Sequence, residues 1–137
     1  MNAIKESLNI ARSLLPRAKR SRSGRNKFFH FAFGYHNNNL LAIGQNMPDK
    51  THTRAMKIAE RFQTQINYPY LHAETDLISR LWNKYHIDEN LKVVIIRLNK
   101  NAQLRNSKPC EKCSKIMKCL GITQIYWSTN DGIVSKS

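Results

Sequence analysis

Three observations predict an α/β fold built on a mixed sheet of about five strands. An aromatic run, Phe28-Phe29-His30-Phe31-Ala32-Phe33, is separated from the apolar Leu40-Leu41-Ala42-Ile43 by His36-Asn37-Asn38-Asn39. Helical and strand patterns then alternate from residue 53 to residue 129. After the turn signal Asn130-Asp131-Gly132 only Ile133-Val134-Ser135-Lys136-Ser137 remain, too few for a crossover helix leading to a parallel strand. The last strand is therefore expected to be short and antiparallel, forming a C-terminal hairpin. A chain of 137 residues is long enough to bury a core without disulfide staples.

Each element has its own signal. Residues 3 to 15 predict a helix, because Ile4, Leu8, Ala11 and Leu15 recur at helical spacing, and Pro16 is expected to stop it. Arg17 to Lys27 is polar and basic, with Ser21, Ser23 and Gly24, and predicts a loop or arm. The expected division is residues 1 to 27 as an N-terminal helix and basic arm, and residues 28 to 137 as the main domain. The two apolar runs at 28 to 43 predict a hairpin, since Asn tolerates the positive φ angles of tight turns. A helix from about Thr53 to Ile66 follows from the stripe Ala55, Ile58, Ala59, Phe62 and Ile66, and Pro69 then breaks the chain.

A second helix is expected from His72 to about Tyr85, burying Leu77, Ile78, Leu81, Trp82 and Tyr85. Leu91 to Leu98 is apolar through its middle and predicts a buried strand. A third helix from Cys110 to Leu120 turns Cys113, Ile116, Met117 and Leu120 inward, with Gly121 ending it. Ile122 to Thr129 predicts a further strand, on which Tyr126 and Trp127 point to opposite faces.

The formal net charge is +14. Residues 1 to 27 hold eight basic residues and one acid, so a fifth of the chain supplies half of that charge. Such an excess attracts phosphate-bearing ligands, whether a free nucleotide or a nucleic-acid strand along residues 17 to 27; the bland alternative is a solvated surface. There is no 18-residue apolar run and no signal-peptide core, so neither membrane nor export is expected. Three cysteines without a disulfide pattern fit a reducing, cytoplasmic setting.

Two short motifs carry the chemistry. His72-Ala73-Glu74 and Pro109-Cys110-Glu111-Lys112-Cys113 supply one imidazole, two thiols and a carboxylate that is not needed as a ligand. Structural zinc is usually closed by four protein ligands, whereas catalytic zinc keeps one position for water. Cys110 and Cys113, at i and i+3, can meet one metal within a single turn, and a helix N-terminus favours their thiolates. Pro109 suits the entry, where its missing N–H is not needed. Cys119 lies about 240° further around the same helix and is expected to be a packed thiol.

The order H-A-E then P-C-x-x-C resembles the zinc-dependent cytidine/deoxycytidylate deaminase superfamily, including its CMP/dCMP-type and phage-type members. Gly44-Gln45-Asn46, followed by Lys50-Thr51-His52, resembles the strand end that carries a substrate-contacting Asn in these enzymes. The similarity runs from about Phe28 to Thr129. It implies a three-layer α-β-α cytidine-deaminase-like fold, with Zn2+ held by His72, Cys110 and Cys113. It also implies hydrolytic deamination, in which zinc-activated water attacks C4 of cytosine while Glu74 shuttles the proton. The C-terminal hairpin resembles the branch that includes free-cytidine deaminases.

Around that centre the residues keep two readings. Asn46 either contacts the sugar or caps a turn, and His30 faces either core or pocket. Ser107 either bonds the exocyclic amine or holds the loop, and Pro109 borders the same loop. The Ala73 N–H is placed to polarise the base carbonyl. Thr51 and Thr53 are equally explained as helix caps, and one of Tyr126 and Trp127 as core.

The expected substrate is cytosine in a free nucleoside or nucleotide, in pyrimidine metabolism. The alternative is cytosine or adenine within single-stranded DNA or RNA, and the lesser alternative a non-catalytic zinc-stabilised binding module. Members of the superfamily are often dimers or tetramers, so a homo-oligomer is within the expectation.

Overall fold

In the computed structural model, which describes residues 2–20, 28–51, 70–82 and 84–135, the first hairpin is the sheet's edge. Strand β1 (Phe28–His36) and strand β2 (Asn39–Gln45) pair antiparallel through Asn37 and Asn38, at φ 51° and 66°. Two successive positive φ angles define the type I′ turn, whose twist matches that of the strands. β3 (Met47–Thr51) and β4 (Tyr70–Leu71) form a separate small sheet that the sequence did not signal. Its pairing of Met47 with Leu71 sets Asn46 beside the approach to His72.

β5 (Leu91–Asn99) is central, antiparallel to β1 and parallel to β7 (Gln124–Thr129). β7 turns back into β8 (Gly132–Ser135), the expected C-terminal hairpin. A two-residue strand, β6 (Leu104–Arg105), folds back on the end of β5 and completes a six-stranded sheet of order β2-β1-β5-β7-β8 with β6 on β5. The mixed α/β fold is thus present, with one strand more than expected.

Among the described residues three helices cover the two faces. Helix α1 (Ala3–Arg20) lies on one, packing Ala11, Leu15 and Ala18 against Phe29, Phe31, Phe33, Val94 and Ile96. Helices α2 (Ala73–Leu81) and α3 (Glu111–Cys119) lie on the other, where Leu77, Ile78, Leu81, Ile116 and Met117 meet Ala32, Val93 and Ile95. Alternation along β1 and β5 sends odd and even residues to different layers, giving three layers and two cores. Tyr126 joins the α1 core and Trp127 the other, on the opposite faces their adjacency required.

Four boundaries differ from expectation. Pro16 does not stop α1, which continues to Arg20 with Ala18 buried. Arg12 and Pro16 are exposed, so water can meet the Arg12 carbonyl that a proline four residues on leaves without a backbone donor. The basic arm therefore loses Arg17 to Arg20 to the helix, and residues 21 to 27 lie outside the described residues.

α2 ends at Leu81, because Trp82 turns to an extended φ/ψ of −60°/130°. Trp82 and Tyr85 are consequently exposed, at 36% and 42%, rather than core. α3 closes in a Schellman motif: Gly121 at φ 78° donates to Lys118 O, and Ile122 N donates to Met117 O. Ile122 thus belongs to the cap, and β7 begins two residues later than expected. Cys119 is exposed, not packed. The helix expected over residues 53 to 66 lies outside the described residues.

Candidate active site

His72 occupies the N-cap of α2, a position usually held by a small polar residue whose side chain bonds the helix amides. Its imidazole makes no such bond. The main chain secures the helix start instead, with the His72 carbonyl accepting from Asp76 N at 2.9 Å and Thr75 Oγ1 at 3.0 Å. The ring is left to face α3. Its Nδ1 lies 3.7 Å from Cys110 Sγ and 3.5 Å from Cys113 Sγ.

Cys110 is the N-cap of α3, and its Sγ accepts from Cys113 N at 3.4 Å. The three donor atoms lie within 4.8 Å of one another. A tetrahedral zinc with bonds of about 2.3 Å to sulfur and about 2.0 Å to nitrogen holds N and S about 3.6 Å apart. The observed separations fit that edge, and two thiols with one imidazole are a donor set zinc favours. The residues present fit the ion.

Electrostatics sharpen the thiols. Cys110 is driven down to about 3, first by the Cys113 S–H, with His72 and the Cys113 N–H adding to it against partial burial. Cys113 is held well above its ordinary value, first by its bond to Cys110 and then by burial. The His72 ring is raised, chiefly by the bond to Cys110.

Glu74 is 5% exposed, on the first turn of α2. Burial raises its pKa, opposed by His72 and by a bond with Cys113, so the carboxyl holds its proton more firmly than an exposed glutamate would. Ala73, between ligand and carboxyl, is 1% exposed.

Gly44 explains how tightly this end is built. A Cβ there would fall 2.5 Å from Leu77 N and 2.9 Å from Leu77 Cα, and closer still to the Ala73 carbonyl. Only glycine lets β2 run this close beneath the start of α2.

The other sequence candidates are placed as follows. Asn46 Oδ1 accepts from His30 N at 3.0 Å and Asn46 N donates to His30 O at 3.3 Å, which ties the end of β2 to β1. Both side chains are half-buried. The Ser107 hydroxyl donates to Ile95 O at 2.8 Å and accepts from Ser128 N at 2.8 Å, so its contacts hold the loop. Pro109 is buried next to Cys110.

Sequence reasoning passed over Asp76, 1% exposed, whose Oδ2 accepts from Gln45 N at 2.9 Å and Arg80 Nε at 3.0 Å. That carboxylate fastens β2 to α2, two residues after Glu74. Its closeness to the motif was visible, but nothing local distinguished it from an ordinary first-turn acid. Arg97 was also passed over, although a charge directly after Val93-Val94-Ile95-Ile96 and before Leu98 was legible as an exception.

No protein-family model matches the sequence, and neither does any curated protein. Solved structures do. The cytidine deaminase of Mycobacterium leprae superposes with a TM-score of 0.51 at 16% identity, covering 90% of this chain and 87% of its own. A Glu-to-Gln mutant of the Mycobacterium tuberculosis cytidine deaminase gives 0.50 at 12% identity, over 90% of this chain and 86% of its own. The dCMP deaminase of cyanophage S-TIM5 gives 0.49 at 22% identity, over 87% and 82%. Together with the mixed sheet and its three layers, the two mycobacterial matches fix the architecture: the chain has the cytidine-deaminase fold.

Proposed function

We propose that the chain is a zinc-dependent hydrolytic deaminase converting cytosine to uracil in a free nucleoside or nucleotide. The observation that carries this reading is the buried Glu74 carboxyl beside a cluster of three donors. A purely structural zinc site has no use for a fourth, unligated acid, whereas hydrolysis needs a group that moves protons. The fold shared with the mycobacterial cytidine deaminases supports the same class of enzyme.

His72, Cys110 and Cys113 hold the metal, and zinc bound there would supply a water acidified toward about 7. Glu74 takes the proton from the attacking water and delivers it to the ring nitrogen N3, making C4 electrophilic. It then moves a second proton to the exocyclic nitrogen, which leaves as ammonia while the carbonyl forms. Burial suits Glu74 to this cycle, since a carboxyl whose pKa is raised takes up a proton more readily than an exposed one and can still return it. The Ala73 N–H binds the base carbonyl, and Asn46 and His30 orient the sugar.

A second reading, cytosine within single-stranded nucleic acid, is favoured by one contact. Lys19 Nζ donates to Lys100 O at 3.1 Å, which brings the basic end of α1 to the β5–β6 turn at the site's end of the sheet.

One mass-spectrometric assay tests both readings. Zinc-loaded protein is incubated with cytidine, CMP, dCMP, adenosine and a single-stranded oligonucleotide, with a chelated sample beside it. We expect the one-dalton gain from amine to carbonyl on a free cytosine compound, abolished by chelation. Conversion confined to the oligonucleotide transfers the assignment to the second reading. No conversion of any substrate by the zinc-loaded protein removes the deaminase reading.

A further inference from the structure

The register of the sheet sets two rows of residues across it at the site's end. Gly44, Ala32, Ile95 and Trp127 lie opposite one another on β2, β1, β5 and β7. Gly44 in this row lies directly under the first turn of α2. One step on, Asn46 meets His30, His30 pairs with Arg97, and Arg97 pairs with Arg105 on β6. Arg97 follows Val93 and Ile95 along the face covered by α2 and α3, and Arg105, opposite it, shares that face. Two guanidinium groups therefore emerge just beyond the helix starts that carry His72 and Cys110.

Neither arginine has a carboxylate partner among the described residues. Arg97 is held in place by other means. Its guanidinium stacks 3.9 Å over the Phe28 ring, and one Nη donates to Asn106 O at 3.1 Å. Nε is shielded from solvent and meets no acceptor. Arg105 uses its donors on the two residues before it, bonding Leu104 O at 2.8 Å and Gln103 Oε1 at 3.2 Å. Burial lowers the Arg97 pKa and Arg105 lowers it further. Two neighbouring cations with no counter-charge repel one another, and a bound anion relieves that cost.

We propose that Arg97, supported by Arg105, is the phosphate subsite of this centre, so that the substrate is a free cytosine nucleotide rather than a nucleoside. A guanidinium grips a phosphate through two parallel N–H bonds, and Arg97 keeps its Nε without a protein acceptor. Two arginines on adjacent strands, about 5 Å apart in the pairing direction, concentrate positive charge at one point. That suits one terminal phosphate, whereas a nucleic-acid strand asks for cations spread along a groove. Asn106 O, which orients Arg97, belongs to the loop leading into Pro109 and Cys110, so the subsite and the metal donors share one support. The inference rests on the deaminase reading for its substrate, but its test does not.

Equilibrium binding is measured on the zinc-loaded Glu74→Gln protein, which holds ligand without turning it over, using cytidine, CMP and a cytosine-containing single-stranded oligonucleotide. CMP is expected to bind at least tenfold more tightly than cytidine. Adding Arg97→Met is expected to weaken CMP binding about 10- to 100-fold and cytidine binding far less, with Arg97→Lys recovering part of the loss. Arg105→Met, which leaves the Phe28 stack intact, should weaken CMP in the same selective way by a smaller factor. Equal affinity for CMP and cytidine overturns the subsite, even if the wild-type protein deaminates both. Selective CMP binding by a protein with no turnover upholds the subsite while the deaminase reading fails. An oligonucleotide bound more than 100-fold more tightly than CMP, through the same arginines, overturns the free-nucleotide proposal in favour of a strand.

Discussion

The two faces of one sheet bury different chemistry. On the α1 face the core is hydrocarbon and aromatic, and its buried polar pair is complete in itself. Ser7 Oγ donates to Ala3 O at 2.7 Å and lies 2.8 Å from the Tyr35 hydroxyl. On the α2 and α3 face, Glu74, Thr75 and Asp76 are buried in one helical turn beside two thiols and an imidazole. Asp76 and Thr75 are accounted for by hydrogen bonds that fasten β2 and the His72 carbonyl. Glu74 is not used in that way. Its carboxyl meets Cys113 of the donor cluster instead, and burying an acid beside metal donors is costly enough to mark it as a candidate for chemistry. The contrast separates a face built for packing from the face on which the proposed chemistry would take place.

The largest test of that contrast is Glu74→Gln. The amide fills the same space but cannot move a proton, so turnover of the accepted substrate should fall by about 10²- to 10⁴-fold. Zinc content by elemental analysis should stay the same, because the proposed ligand set is His72, Cys110 and Cys113 without Glu74. Thermal stability should not fall, because a buried group that resists ionisation is replaced by a neutral one. Activity within a few-fold of wild type would remove Glu74 from the mechanism. Loss of zinc would make it a ligand instead.

Gly44→Ala probes how the reactive face is assembled. The new methyl group meets backbone atoms of Ala73 and Leu77, which cannot rotate away, so either β2 or the start of α2 must shift. The expected cost is about 3 kcal/mol, at the upper end for an added methylene. It should appear as a fall of roughly 10 °C in Tm. Zinc affinity should drop with it, because the displaced turn carries His72. Gly34→Ala is the internal control. Its methyl group meets only the Cδ atoms of Leu77 and Leu81 at 3.3 Å, and these side chains can adjust. Equal Tm losses in the two variants would contradict the close approach at Gly44.

The legible parts of this chain were those with local causes. His72-Ala73-Glu74 and Pro109-Cys110-Glu111-Lys112-Cys113 need only spacing and a helix start, and the structure brings the three donors together as that spacing implied. The Asn37-Asn38 turn is local, and so is the Gly121 cap. What misled were signals that tertiary packing overrides. Pro16 reads as a stop, but Ala18 still has an apolar surface to cover, and Arg12 and Pro16 are exposed, where water can serve a carbonyl that proline leaves without a donor. Tyr85 continues the spacing of Leu77 and Leu81, but the chain turns at Trp82 before it can be buried. β6 is two residues long and shows no periodicity, so no pattern in the sequence could announce it. The row from Asn46 to Arg105 is invisible for a deeper reason. Its members are scattered from residue 30 to residue 105 and meet only through strand register, which a single sequence does not contain.

The smallest test returns to the packing face. Tyr35 is 1% exposed, and burial raises its pKa above the ordinary 10, with Ser7 opposing. The unfolded chain therefore releases this proton at lower pH than the folded one. The stabilising contribution is intact below about pH 10 and is lost as pH rises toward the higher folded value. Tyr35→Phe removes both the hydroxyl and this titration. At pH 7 it should cost about 1 kcal/mol, since Ser7 keeps its bond to the Ala3 carbonyl when its contact with the Tyr35 hydroxyl is lost. Urea unfolding between pH 7 and pH 11 should then show the gap between the two proteins narrowing above pH 10, where wild type loses stability that the variant never had. A gap that stays constant across that range would mean the hydroxyl ionises as easily folded as unfolded, and the α1 face would be wetter than its burial shows. Zinc binding should be the same in both proteins at every pH, because no group on this face touches the donors.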